Sequence, residues 1–236
     1  KVDGIIIDLR EDGGGSLQEA IDLTGLFIKD GPVVQVKNSD GSVDVSNDPD
    51  PAIIYDGPLA VLVNRFSASA SEIFSGAIQD YGRGLIIGEQ TYGKGTVQNL
   101  IDLNRLSSTA NKKFGQVKIT IAKYYRINGG STQNLGVIPD ISFPTMIDPK
   151  DYGESSEPSA LPWDEIKSAN FNKFSNLSEF IPKLKKNHLN RISTNKDFQY
   201  LLEDIELYKE NKEKTFLSLN EDIRKKEKEK EEQRKF

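Results

Sequence analysis

Over the first two thirds of the chain, short unbroken apolar runs alternate with amphipathic stretches, the pattern of buried strands interleaved with helices. Residues 4–9 form the first run, suited to a strand in a sheet covered on both faces. After a glycine turn, Leu17, Ala20, Ile21, Thr24, Phe27 and Ile28 share one helical face over residues 16–28, with Ser16 placed to cap it. Residues 33–36 read as a short strand and residues 59–63 as a second buried one. The spacing then predicts a helix over 69–81 with Ile73, Phe74, Ala77, Ile78 and Tyr81 inward. Further strands are predicted over 85–87, 97–103 and 116–127. This order defines an α/β fold, a parallel sheet layered with helices. The turns after Leu9 and Val63 should then lie on one sheet edge, where open α/β folds place their sites.

Between these elements, residues 38–56 carry five aspartates and no basic residue, together with prolines and glycines. They read as a solvated surface excursion, because calcium-loop spacing with its glycine and closing glutamate is missing. The stretch 149–162 is rich in Pro, Gly and Ser and reads as a linker. Beyond it the pattern turns polar and helical, with Phe198, Leu201, Leu202, Ile205 and Leu207 as its apolar positions. The end, 223–235, is almost wholly charged with mixed sign, the signature of a solvated helix with i,i+4 pairs or a frayed tail. Three regions are therefore expected: a core over 1–148, a linker over 149–162 and a helical extension over 163–236.

Composition removes several function classes. The chain has 236 residues, a net charge of −5 and no basic cluster outside that mixed tail, which gives no footprint for nucleic acid. No stretch approaches the roughly 20 apolar residues needed to span a bilayer. With no cysteine, a thiol nucleophile is excluded, and a Ser-His-Asp triad could draw only on His188. That histidine sits in the polar helical region, where a surface or packing role is expected. The chain opens directly in a strand, so it is expected to be a piece of a longer protein.

Candidate chemistry lies in a serine-rich turn, residues 66–72, and in Lys94, which stands between Gly93 and Gly95. A serine hydroxyl needs a neighbouring base, and a lysine serves only when uncharged. Its reference pKa near 10.4 must therefore be lowered, which desolvation achieves. Ser69 at a helix start gains from backbone N–H groups and the helix dipole. The Asp12-Gly-Gly-Gly-Ser16 turn can aim amide hydrogens into open space, forming an oxyanion hole with the N–H of Ala70. On residues alone, Ser67 and Ser71 stand beside Ser69 as candidate nucleophiles. Residues 88–94 also match most of a phosphate-binding loop, but Gly95 stands where Ser or Thr should hold magnesium, and the following segment looks extended. Residues 193–196 match Ser-x-x-Lys without its companion elements and are read as chance.

Taken together, the glycine turn with its preceding strand (4–15), the serine turn (64–72), the lysine loop (88–98) and Leu135-Gly-Val-Ile-Pro-Asp140 resemble the tail-specific, or C-terminal processing, proteases. Residues from Ala160-Leu-Pro-Trp-Asp164 onward resemble the C-terminal extension of the larger periplasmic members in Gram-negative bacteria. The resemblance implies a fold like crotonase and the Clp protease, no metal or organic cofactor, and Ser69 as nucleophile with Lys94 as general base. It also implies that Gln98 orients Lys94 and that the Ala70 and Gly15 amides hold the oxyanion. Implied partners are proteins with exposed, apolar, unstructured C-termini, and an adaptor protein. The family's N-terminal helical region and PDZ domain are not in this sequence, so weak, poorly directed cleavage or none is expected of it. Two other readings stand beside this one: a catalytically silent scaffold of the same fold, and a P-loop nucleotide-binding protein.

Overall fold

The structure, a computed structural model, describes residues 2–106 and 114–234. It divides into two compact units, Lys1–Asn190 and Arg191–Phe236.

The first unit contains two four-stranded sheets. Strands β1 (Ile5–Asp8), β4 (Leu59–Val63), β5 (Leu85–Gly88) and β8 (Ile141–Ser142) form a parallel sheet in the order β1-β4-β5-β8. Strands β2 (Gly31–Asn38), β3 (Val43–Asp48), β6 (Thr96–Asp102) and β7 (Gln116–Tyr125) form an antiparallel sheet in the order β3-β2-β7-β6. Helices α1 (Leu17–Gly25) and α2 (Ala70–Asp80) pack together. Two apolar clusters explain the layering. Phe74 and Ile78 of α2 join Leu59, Val61, Val63 and Ile86 of the parallel sheet. Ile73, Ala77 and Tyr81 join Val33, Val34 and Tyr124 of the antiparallel sheet. The single inward face expected for α2 is thus split between two sheets. Residues at i and i+1 lie about 100° apart on a helix, so neighbouring apolar pairs can serve opposite layers.

The α/β class and the parallel sheet match expectation, while four details differ. The strands expected over 33–36, 97–103 and 116–127 join not the parallel sheet but the second, antiparallel one, where no crossover helix is needed between paired neighbours. Residues 38–56 include β3, which pairs with β2 from Gly31↔Asp48 to Lys37↔Val43. Its alternating Val43 and Val45 were masked by interspersed acids, and both valines stay exposed. Strand β1 is not covered on both faces: it is an edge strand and Ile6 is 69% exposed. Helix α1 stops at Gly25 rather than residue 28, because the Leu26 carbonyl accepts the Ile54 and Tyr55 N–H groups and the Phe27 carbonyl accepts the Arg83 side chain, so neither serves a further helical turn. Ser16 does cap it, accepting the Glu19 N–H at 3.4 Å.

Residues 149–162 belong to the first unit. The buried guanidinium of Arg65 donates to the carbonyls of Tyr152 (2.6 Å), Pro149 (3.0 Å) and Thr91, which ties this stretch to the lysine loop. Helix α3 (Ile181–Thr194) begins in the same unit, where His188 is buried with its ring stacked on Phe143 at 5.0 Å. The second unit holds α4 (Lys196–Glu213) and α5 (Glu221–Arg234). Asn195 caps α4, so the Ser-x-x-Lys match is a helix boundary. Helix α5 carries Lys225–Glu221 and Lys228–Glu232 pairs at i,i+4 spacing. Among the described residues, no helix is long and apolar enough to cross a membrane.

Candidate active site

Three loops leaving the carboxyl ends of β1, β4 and β5 meet at the start of α2. They are the glycine turn, the serine turn and the lysine loop.

Ser69 is the N-cap of α2 and holds φ 58°, ψ −114°, a conformation that costs a non-glycine residue about 1–3 kcal/mol. The surroundings enforce it. Gly14, with φ +92°, lies so close that a Cβ there would stand 2.8 Å from both the Ser69 Cβ and the Ala70 nitrogen. Flanking serines complete the join. Ser67 Oγ donates to the Leu9 carbonyl at 2.7 Å and accepts the Asn64 N–H at 2.9 Å, while Ser71 Oγ donates to the Asp12 carbonyl at 3.2 Å. Both are buried and engaged in fixing the glycine turn to the serine turn. Ser69, half-buried, opens into a cavity of about 290 Å³ that it shares with Gly15, Ala70, Lys94, Gln98, Lys118 and Tyr124.

Among the glycines of the turn, Gly14 alone has positive φ, and its N–H is taken by Asp12 Oδ1 at 2.9 Å. The Gly15 and Ala70 N–H groups make no hydrogen bond among the described residues, and both residues line the cavity. Two open donors at a helix N-terminus can receive developing negative charge.

Lys94 is held by tight backbone approach: a Cβ on Gly93 would stand 2.9 Å from the Asn134 carbonyl carbon, and one on Gly95 2.7 Å from the Gln133 nitrogen. Its Nζ donates to Gln98 Oε1 at 3.1 Å, and no Ser69–Lys94 side-chain hydrogen bond forms among the described residues. Burial pulls the Lys94 pKa below the ordinary lysine range, and the Lys118 charge adds to that, while Glu154 and Glu72 oppose it. Lys94 runs directly into β6, so no helix N-terminus follows it to receive a nucleotide phosphate.

Two residues that organise the site had no role in the sequence reading. Glu72, fully buried, accepts the N–H of Ser69 (2.8 Å) and of Lys94 (2.9 Å) on Oε2, and the Thr91 hydroxyl (2.5 Å) and Gly93 N–H (2.7 Å) on Oε1. Burial pushes its carboxyl up to about 7, against the pull of these four bonds. On the other side, the buried Tyr124 hydroxyl reaches the Lys94 carbonyl and stands 3.3 Å from the Ser69 carbonyl. The backbones of Ser69 and Lys94 are thus bridged twice, through N–H groups by Glu72 and through carbonyls by Tyr124. A signal for Glu72 was present: Ser69-x-x-Glu72 before an apolar helix is a capping-box spacing.

This geometry, an α/β core presenting a strained serine at a helix start opposite a half-buried lysine, defines the class within which known relatives fall. Residues 1–143 match the family described as Peptidase family S41, and residues 147–236 match the C-terminal domain of tail specific protease. The chain belongs to peptidase family S41. It is 49% identical over 201 residues to the tail-specific protease of Haemophilus influenzae, covering 84% of this chain and 29% of that one. It is 35% identical over 150 residues to the chloroplastic C-terminal processing peptidase of Tetradesmus obliquus, covering 64% and 31%. Among solved structures, the photosystem II D1 C-terminal processing protease superposes with a TM-score of 0.52 at 35% identity, over 63% of this chain and 36% of that one. The chain thus spans about a third of the length of these relatives.

Proposed function

We propose that this chain forms the catalytic part of a serine endopeptidase acting on proteins with exposed, unstructured, apolar C-termini. The observation that carries the reading is the double bridge between the backbones of Ser69 and Lys94, which fixes the two residues on one cavity beside the open N–H groups of Gly15 and Ala70. Ser69 Oγ attacks the scissile carbonyl, and its proton passes to neutral Lys94. The carbonyl oxygen gains the negative charge and is held by the Gly15 and Ala70 amides. Lys94 then returns the proton to the departing amine, leaving an ester on Ser69; water attacks the ester while Lys94 takes its proton, and Lys94 passes that proton to Ser69 Oγ as the carboxylic acid leaves. Gln98 holds Lys94 between these steps, so the bond seen at 3.1 Å is that of a resting arrangement. Residues 163–236 act as the helical extension of this core. Preference for C-termini draws on the names of the relatives, and a periplasmic location on the resemblance to the larger Gram-negative members.

Cleavage of an unstructured peptide with an apolar C-terminus, followed by mass spectrometry, tests the proposal. Slow cleavage that vanishes in Ser69→Ala is expected. Cleavage that survives Ser69→Ala would overturn the assignment. No cleavage at high enzyme concentration would favour a silent scaffold, which the missing Ser69–Lys94 hydrogen bond also allows.

A further inference from the structure

We propose that Lys118 is a positioning residue that acts through charge, favouring the free-amine form of Lys94 by repelling its ammonium form across the shared cavity. The inference rests on the Ser69/Lys94 reading above and adds a residue to it.

Lys118 comes from β7, the strand next to β6, and lies 24 residues beyond Lys94 in the sequence. Pairing of the two strands puts Gln98 opposite Thr120 and Leu100 opposite Lys118. Opposed residues in an antiparallel pair share a sheet face, and residues two apart along a strand do as well. Gln98 and Lys118 therefore project from the same face, and both line the cavity that holds Ser69 and Lys94. The opposite face of β7 carries Val117, Ile119 and Ile121, so Lys118 is the strand's charge on the cavity side at this level.

The charges facing Lys94 come from three elements. Lys118 of β7 is positive, Glu72 of α2 and Glu154 of the 3-10 turn at Glu154–Ser156 are acidic. On its own segment Lys94 meets the neutral amide of Gln98, and from β7 the neutral phenol of Tyr124, whose ionisation is pushed well above the usual range by burial. Two carboxyl groups thus favour the charged lysine, and burial alone must work against both. A second ammonium on the cavity wall shifts that balance toward the free amine, since a nearby like charge disfavours ionisation. It does so without contact and without burial of its own, because Lys118 is exposed.

Competitive labelling reads the ionisation of Lys94 directly and needs no peptidase activity from the chain itself. The chain is treated with a trace of acetic anhydride across a pH series, then fully acetylated with isotopically heavy reagent, and the ratio on the Lys94 peptide is measured by mass spectrometry. At low salt and pH 8, Lys118→Met is expected to lower Lys94 reactivity roughly threefold, and Lys118→Glu to lower it further. Lys118→Arg, which restores the charge, is expected to return it to the level of the unaltered chain. About 1 M salt, where the screening length falls to about 3 Å, should erase most of the difference between the unaltered chain and Lys118→Met. Unchanged reactivity in Lys118→Met overturns the proposal, and so does a difference that salt leaves intact, because that would be a packing effect. The hydrolase reading is judged separately by Ser69-dependent cleavage, so either can fail without the other.

Discussion

Glu72 Oε2 accepts the Lys94 N–H at 2.9 Å while accepting the Ser69 N–H at 2.8 Å, so one carboxylate oxygen sets the spacing of the two backbones that carry the proposed chemistry. The group is buried and its carboxyl is pushed from 4.5 up to about 7, chiefly by desolvation. A carboxyl whose folded pKa is raised binds a proton in the folded state that the unfolded chain has already lost between these two values. Stability from this group is therefore largest below about pH 4.5 and declines as pH rises toward 7, by an amount on the order of 3 kcal/mol. Denaturant unfolding followed by the single tryptophan, Trp163, between pH 5 and pH 8 checks this. Glu72→Gln is expected to flatten the dependence, and an equally steep loss in that variant would count against it.

Backbone strain at Ser69 leads to a second expectation. With φ at 58° and ψ at −114°, glycine fits where alanine does not. Ser69→Gly should be more stable than Ser69→Ala by about 1–2 kcal/mol, read from thermal unfolding, and both should be inert toward peptide. Equal stability would indicate a relaxed turn.

Tyr124 offers a test of the carbonyl side of the bridge. Tyr124→Phe keeps the ring in the core and removes the hydroxyl from the Lys94 and Ser69 carbonyls. The Lys94 carbonyl retains Thr132 Oγ1 at 3.1 Å, so a loss of only about 1 kcal/mol is expected. Turnover should fall while KM holds steady, since the change alters placement of the reacting groups. A rise in KM alone would contradict this role.

At the other end of α2, Asp80 is buried and paired with Arg126 at 2.5 Å, with Asn128 donating to the same Asp80 oxygen at 2.8 Å. Asp80→Ala would strand a mostly buried guanidinium, and about 3–5 kcal/mol of stability should go with it. The double change Asp80→Leu, Arg126→Met is expected to recover most of that loss. A double variant no better than Asp80→Ala would mean the pair acts through more than its charges.

Strands β1, β4 and β5 and helices α1 and α2 were legible because each is an apolar run or an amphipathic period that needs no partner to be recognised. Strands β2, β6 and β7 of the antiparallel sheet were legible as well, over 33–36, 97–103 and 116–127, but their antiparallel pairing and strand β3 were not. Strand β3 shows only Val43 and Val45 between acids, and its identity depends on pairing with β2. The serine turn and Lys94 stood out by their serine and glycine context, and Gln98 reaches Lys94 at 3.1 Å. The capping-box spacing pointed only to the Glu72 bond with the Ser69 N–H, because the Thr91, Gly93 and Lys94 groups it also gathers lie 19, 21 and 22 residues away. Arg65 was equally hidden. A buried guanidinium bonded to carbonyls from residues 91, 149 and 152 leaves no periodic trace in a sequence.

The central claim, that Lys94 draws the proton from Ser69, is tested most directly by the rate at which a fluorophosphonate modifies Ser69 across a pH series. In the unaltered chain, labelling should rise through an inflection below the ordinary lysine range, in line with the lowered Lys94 pKa. Lys94→Met should label at least about 100-fold more slowly and lose that inflection. A Lys94→Met chain that labels at the unaltered rate, with the same pH profile, would contradict it.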